Sequence, residues 1–188
     1  PGSKSTRGDL KYLREQGWDI DLYAHYRRGG HILGLCGGYQ MLGKQIDDPN
    51  GLDGPAGRTE GLGLLDVNTE MLPEKTLRKV TATHAETNLA VSGYEIHLGK
   101  TKGEGCKQPF AYLDKEPEGA CSKDGRISGS YLHGLFCSDG FRSAFLEKLG
   151  APSGGDLKYE KNLNDVLNKL AKHIEDQLDV DALLKVAQ

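Results

Sequence analysis

Apolar residues recur at helical spacing near the start of the chain and again near its end, with short strand-like runs between them. Leu10 and Leu13, with Arg14, predict a helix over residues 9–17, with Ser5, Thr6 or Asp9 as its cap and Gly17 as its stop. A second helix is predicted over residues 19–28, where Ile20, Tyr23 and Ala24 share a stripe that ends at Gly29-Gly30. Residues 31–35 are apolar almost throughout rather than alternating, the pattern of a parallel strand covered on both faces. Gly37-Gly38 follow at once, and Tyr39 to Leu42 read as the first turn of a helix. Helix, strand, sharp turn and helix in that order predict an α/β sheet.

The middle of the chain changes character. Residues 47–63 are rich in Gly, Pro, Asp and Asn and predict a long ordered loop. Runs over residues 65–72, 77–83, 90–98 and 126–132 predict strands of a mainly antiparallel section or the edge of a mixed sheet. A helix is predicted over residues 139–149, with Phe141, Ala144, Phe145 and Leu149 on one stripe, stopped by Gly150 and Pro152. Leu163, Val166, Leu167, Leu170 and Ile174 follow the spacing of an amphipathic terminal helix. The expected organisation is one domain over residues 1–150 and a helical tail over residues 151–188. No internal repeat is visible.

Composition narrows the class. A chain of 188 residues is one domain at roughly 150 residues per domain, with or without a tail. Twenty-four Lys and Arg against 27 Asp and Glu give a net charge of −3, with the signs interspersed, so neither a nucleic-acid groove nor a patch for anionic membranes is indicated. The longest apolar runs fall far short of the roughly 20 residues that a spanning helix needs. A soluble protein of the cytoplasm is the expectation. The chain opens on Pro1 without an initiator Met or a leader pattern, which reads as a fragment or a trimmed form. Cys36, Cys106, Cys121 and Cys137 are far apart, so no metal site and no dense disulfide frame is expected.

Two short motifs carry candidate chemistry. Gly34-Leu35-Cys36-Gly37-Gly38 matches the elbow in which a strand turns sharply into a helix and presents a nucleophile in strained backbone. A thiol there sits at a helix N-terminus, which favours thiolate, beside a backbone N–H that can donate to an oxyanion. A small apolar residue behind a buried strand is the alternative reading of the same pentapeptide. The second motif is Tyr131-Leu132-His133-Gly134, where a His closes a strand at a turn. Cys and His together are the minimum for acyl transfer: the imidazole takes the thiol proton and returns it to the departing amine. His25, His31, His84 and His173 lack such a setting.

Six runs taken in order resemble the glutamine amidotransferase domain of the cobyric acid synthase family: PGSKSTRGDL (residues 1–10), GLCGGYQMLG (34–43), DDPNGLDG (47–54), EGLGLLDV (60–67), GYEIHLGKT (93–101) and DGRISGSYLHGLF (124–136). The resemblance covers residues 1–149. It implies a flavodoxin-like α/β sheet of the class I amidotransferase type with a nucleophile elbow, followed here by a C-terminal helix. The family's opening strands precede PGSK, so this chain is expected to be N-terminally incomplete, and marginally stable or weakly active on its own.

The family's nucleophile falls on Cys36 and its general acid/base on His133. In other class I members a Glu follows two residues after the His; here that position is Leu135, and a Cys-His dyad is implied. The resemblance also implies oxyanion donors from Gly37 and the Gly2 loop, and a substrate contact from Gln40. An ordinary helix-surface role for Gln40, and solvated turn chemistry for Ser3 and Lys4, are the alternatives. Glu95 and His97 stand two apart on a predicted strand and share a face, which makes them candidates for an accessory role. A surface strand face or a partner contact would equally explain them.

The implied activity is hydrolysis of L-glutamine, supplying ammonia for ATP-dependent amidation of adenosylcobyrinic acid a,c-diamide in cobalamin biosynthesis. The chain contains no G-x-x-x-x-G-K-[ST] loop, so it is expected to carry no cofactor, and ATP and magnesium are assigned to a separate N-terminal synthetase domain. Competing readings are a cysteine hydrolase of γ-glutamyl conjugates, a related amidotransferase acting on cobyrinic acid or a cell-wall precursor, and a non-catalytic binding module.

Overall fold

The computed structural model describes residues 1–151 and 158–187. The described elements run α1 (Thr6–Glu15), α2 (Trp18–Arg27), β1 (Ile32–Leu35), α3 (Gly37–Leu42), β2 (Gln45–Asp48), β3 (Gly57–Glu60), β4 (Asn68–His84) and β5 (Ala90–Lys102). They continue with β6 (Ala111–Leu113), β7 (Glu116–Glu118), β8 (Ala120–Cys121), β9 (Ile127–Ser130), β10 (Leu132–His133), α4 (Asp139–Lys148), α5 (Tyr159–Gln177) and α6 (Val180–Val186).

The strands described form two sheets. The smaller has the order β1-β9-β8, with β1 and β9 parallel in the register Ile32 to Ile127 through Leu35 to Ser130. The larger runs β10-β5-β4-β2-β3, with β6 and β7 attached through β4. Its spine is the antiparallel pair β4 and β5, whose register shifts between Glu70 and Lys75. The architecture is α/β, with a mainly antiparallel second sheet as the run pattern predicted.

The loop expected over residues 47–63 holds the end of β2 and all of β3 instead. β2 and β3 pair antiparallel from Gln45–Glu60 to Asp48–Gly57, and β2 also pairs in parallel with β4. Asp48 closes the turn between them: its carboxylate accepts from the N–H groups of Leu52 and Asp53 at 2.8 Å each. Asp53 in turn accepts from the Arg7 N–H at 2.7 Å, which ties this turn to α1.

Two apolar clusters flank the β1 turn. One gathers Leu10, Tyr39, Leu42, Ile46, Leu65 and Val67 under α1 and α3; the other gathers Val91, Phe110, Leu132, Leu135 and Phe141 between the larger sheet and α4. Ile32 packs on the first cluster, while Leu33 and Leu35 pack on the second, so β1 is gripped from both sides. By contrast, α5 leaves Val166, Leu167 and Leu170 at least half exposed.

Candidate active site

Cys36 stands between β1 and α3 at φ 54° and ψ −112°, a left-handed conformation that non-glycine residues adopt only where the surroundings enforce it. Three backbone bonds enforce it here. The Cys36 N–H donates to the Ser130 carbonyl at 2.8 Å, the Gln40 N–H to the Cys36 carbonyl at 3.2 Å, and the Gly38 N–H to the Pro1 carbonyl at 2.9 Å. Gly34 has to be glycine for this turn: a Cβ would lie 2.6 Å from Leu42 Cδ1 and 2.7 Å from the Gly38 carbonyl oxygen.

The thiol opens into a cavity of about 610 Å³, bounded among others by Gly2, Gln40, Asp53, Ile96, His97 and His133. Its S–H donates to the Ile96 carbonyl at 3.3 Å. Burial pushes the Cys36 thiol up from its ordinary value, against the pull of the Gly37 and Ser3 backbone N–H groups, which face the sulfur. Position at the start of a helix predicted a thiolate; α3 is only six residues long, and desolvation outweighs it.

His133 stands beside the thiol. A Cβ built on Gly2 would lie 3.3 Å from His133 Cε1, 3.6 Å from Cys36 Cβ and 3.8 Å from Cys36 Sγ, so the imidazole and the sulfur converge on one point and glycine leaves it open. His133 Nε2 is buried and has no hydrogen-bond partner. A buried ring nitrogen without a partner is costly, and a reacting group in the cavity would satisfy it.

The other sequence candidates are distributed around this centre. Gly37 and the Gly2 loop both adjoin the sulfur, though the loop's donor is the Ser3 N–H and Gly2 itself contributes space. Gln40 borders the cavity, yet its amide nitrogen already donates to the Leu98 carbonyl at 2.9 Å and Tyr131 Oη at 3.2 Å. Its Oε1 accepts from Thr6 Oγ1 at 3.1 Å.

Glu95 and His97 do share a face, and they bond to each other: His97 Nε2 lies 2.9 Å from Glu95 Oε1, and Arg78 Nε 2.7 Å from Glu95 Oε2. These two bonds hold the Glu95 carboxyl below its ordinary range, the one from His97 contributing most. His97 Nδ1 lies 3.1 Å from the Gly99 carbonyl, and the ring stacks on Tyr131 with centroids 3.8 Å apart. His97 borders the Cys36 cavity and also a second one of about 650 Å³ that Glu95 shares with Glu118.

Two features had no sequence signal. Glu118 is buried and accepts from Ser130 Oγ at 2.9 Å and the Tyr131 N–H at 2.6 Å; burial pushes its carboxyl up to about 7. Tyr94 stacks on His133, its neighbour across two strands. Among the described residues, no group of three or more His, Cys, Asp or Glu is placed to hold a metal ion, and no helix is long and apolar enough to cross a membrane.

An α/β frame with a strained thiol at a strand-to-helix turn has the fold of the glutamine amidotransferases. A solved structure described as a glutamine amidotransferase matches with a TM-score of 0.56, at 21% identity over 80% of this chain and 77% of its own. The model of the CobB/CobQ-like glutamine amidotransferase domain matches residues 1–141, and the chain belongs to that family. Among curated relatives, the cobyric acid synthase of Bradyrhizobium diazoefficiens is 63% identical over all 188 residues, and that of Rhodobacter capsulatus 58%. This chain spans 39% of the length of each.

Proposed function

We propose that residues 1–150 are the glutaminase of a cobyric acid synthase and that residues 151–188 are a tail whose described part carries α5 and α6. The reading rests above all on the convergence of Cys36, His133 and Gly2 on one open point of the cavity. His133 accepts the Cys36 proton, and the thiolate adds to the side-chain carbonyl of L-glutamine. The N–H groups of Gly37 and Ser3, which already face the sulfur, hold the oxyanion. Collapse of the tetrahedral adduct breaks the C–N bond, and the imidazolium gives its proton to ammonia as it leaves. Water, deprotonated by the same imidazole, then cleaves the γ-glutamyl thioester to glutamate and restores the thiol. Gln40 shapes the wall of the cavity, with the remaining acceptor capacity of Oε1 available to the substrate.

The relatives' name supplies the acceptor side of the proposal. Ammonia would pass to an ATP- and magnesium-dependent synthetase domain, which amidates carboxylates of adenosylcobyrinic acid a,c-diamide. The deciding experiment measures ammonia and glutamate released from L-glutamine by this chain and by Cys36→Ala, with and without the ATP-dependent part of a relative. Release that vanishes with Cys36→Ala and rises with the partner is the expected result. No release from folded chain in either tube would overturn the reading.

A further inference from the structure

A histidine that shuttles protons has to be held in one orientation, a task commonly done by a carboxylate hydrogen-bonded to its far nitrogen. Among the described residues, no carboxylate is hydrogen-bonded to His133. Leu135 stands two residues on, and Glu95, the nearest acidic candidate in the sequence, is bonded to His97 and Arg78. Strand alternation also sends Glu95 to the face of β5 opposite Tyr94.

The group that does touch the imidazole is Tyr94. Its ring lies 5.0 Å from that of His133, centroid to centroid, with only 7° between the planes. The register of β10 on β5 makes the two direct cross-strand neighbours. Gly93 brings them together, because a Cβ there would run into the His133 carbonyl oxygen. Gly134, at φ 80°, turns the chain away immediately afterwards, so β10 ends at His133. Tyr94 stacks on the imidazole and is still 47% exposed. Its burial is thus too slight for core filling to be its main contribution.

We propose that Tyr94 is the positioning residue for His133. By stacking, its ring fixes the plane of the imidazole beside the Cys36 thiol, without supplying charge. The inference deepens the glutaminase reading and rests on it for its kinetic arm. Stacking needs a planar ring and no hydroxyl, which separates Tyr94→Phe from Tyr94→Ala and Tyr94→Leu.

Two readouts test it on the 188-residue chain, with far-UV circular dichroism as the check on folding. The first is glutamine turnover: Tyr94→Ala and Tyr94→Leu should lower kcat about tenfold with KM within about twofold, while Tyr94→Phe stays within about twofold of the parent. The second is the pH profile of iodoacetamide alkylation at Cys36, read by peptide mass spectrometry. The profiles of Tyr94→Ala and Tyr94→Leu should move toward that of His133→Ala, and that of Tyr94→Phe should overlie the parent's. Ala and Leu variants that match the parent, or a Phe variant as impaired as they are, would overturn the proposal. So would a His133→Ala alkylation profile identical to the parent's. If the parent releases no ammonia, the glutaminase reading falls, and the alkylation profiles alone decide whether Tyr94 positions His133.

Discussion

His97 and His133 border the same cavity, yet they are built in opposite ways. His97 is bonded at both nitrogens, to Glu95 and to the Gly99 carbonyl, and its ring lies on Tyr131. His133 has a buried nitrogen with no partner and a tyrosine ring against its face. A Glu-His pair looks like catalytic machinery in a sequence, but a ring whose two nitrogens point at Glu95 and at the Gly99 carbonyl presents neither of them to Cys36. The imidazole left with an unpartnered nitrogen is the one the proposed reaction would use. On that reading, an unsatisfied ring nitrogen marks the candidate for proton transfer better than proximity to a carboxylate does.

The comparison is broken most directly at the proposed nucleophile. Cys36→Ala removes the attacking sulfur, and glutamine hydrolysis should fall at least about 10³-fold with the unfolding midpoint unchanged. Residual turnover above a tenth of the parent's would refute the assignment. His133→Asn keeps the size of the ring and removes the base; it should cost about 10²- to 10⁴-fold in kcat and little in thermal stability. Equal losses from His133→Asn and His97→Asn would erase the distinction between the two histidines.

What the sequence made legible is what depends on neighbours along the chain. The elbow, with glycines at 34, 37 and 38 around Cys36, could be read directly, as could α2, β1 and α4 to within a residue or two. The mixed section also declared itself through its runs of strand-like residues. The β2–β3 pair did not, because strands such as Gly57–Glu60 lack alternation and owe their existence to pairing. The state of the Cys36 thiol was hidden for a related reason: helix position is local, whereas the burial that outweighs it is assembled from distant segments. Tyr94 was invisible because its partner lies 39 positions away, on a strand of two residues whose register only the folded sheet defines.

The His97 side of the comparison is also an electrostatic construction, and Glu118 is where it can be stressed. Its carboxyl is pushed from 4.5 up to about 7 by burial, with the Glu95 charge adding to the rise and His97 opposing it. The folded chain therefore binds this proton more tightly than the unfolded chain. The stabilisation is complete below pH 4.5 and is lost as pH rises through about 7. At about 1.4 kcal/mol per pH unit, this one group removes about 3 kcal/mol across that window. Glu118→Gln has no such titration, so the loss of stability between pH 5 and pH 7.5 should be smaller than the parent's by that order. Urea unfolding at the two pH values measures it, and parallel behaviour of the two proteins would show that Glu118 does not titrate there.

The smallest effects are expected where His97 meets Glu95. His97→Asn loses the bond to Glu95 and the stacking on Tyr131, leaving a nearly buried carboxylate with Arg78 alone. The cost should be about 1–3 kcal/mol of stability, with kcat reduced less than tenfold, the reverse of the His133→Asn pattern. Glu95→Gln is milder, about 1 kcal/mol, because the amide oxygen can still accept from Arg78 or His97. Its sign with pH is opposite to that of Glu118. The Glu95 carboxyl is held low by His97 and Arg78, so its stabilisation is present above pH 4.5 and disappears as pH falls through the folded value. The gap between parent and Glu95→Gln should therefore close in acid. A gap that persists below that range would mean the ion pair contributes nothing and that Glu95 acts through packing, which would remove the electrostatic half of the contrast with His133.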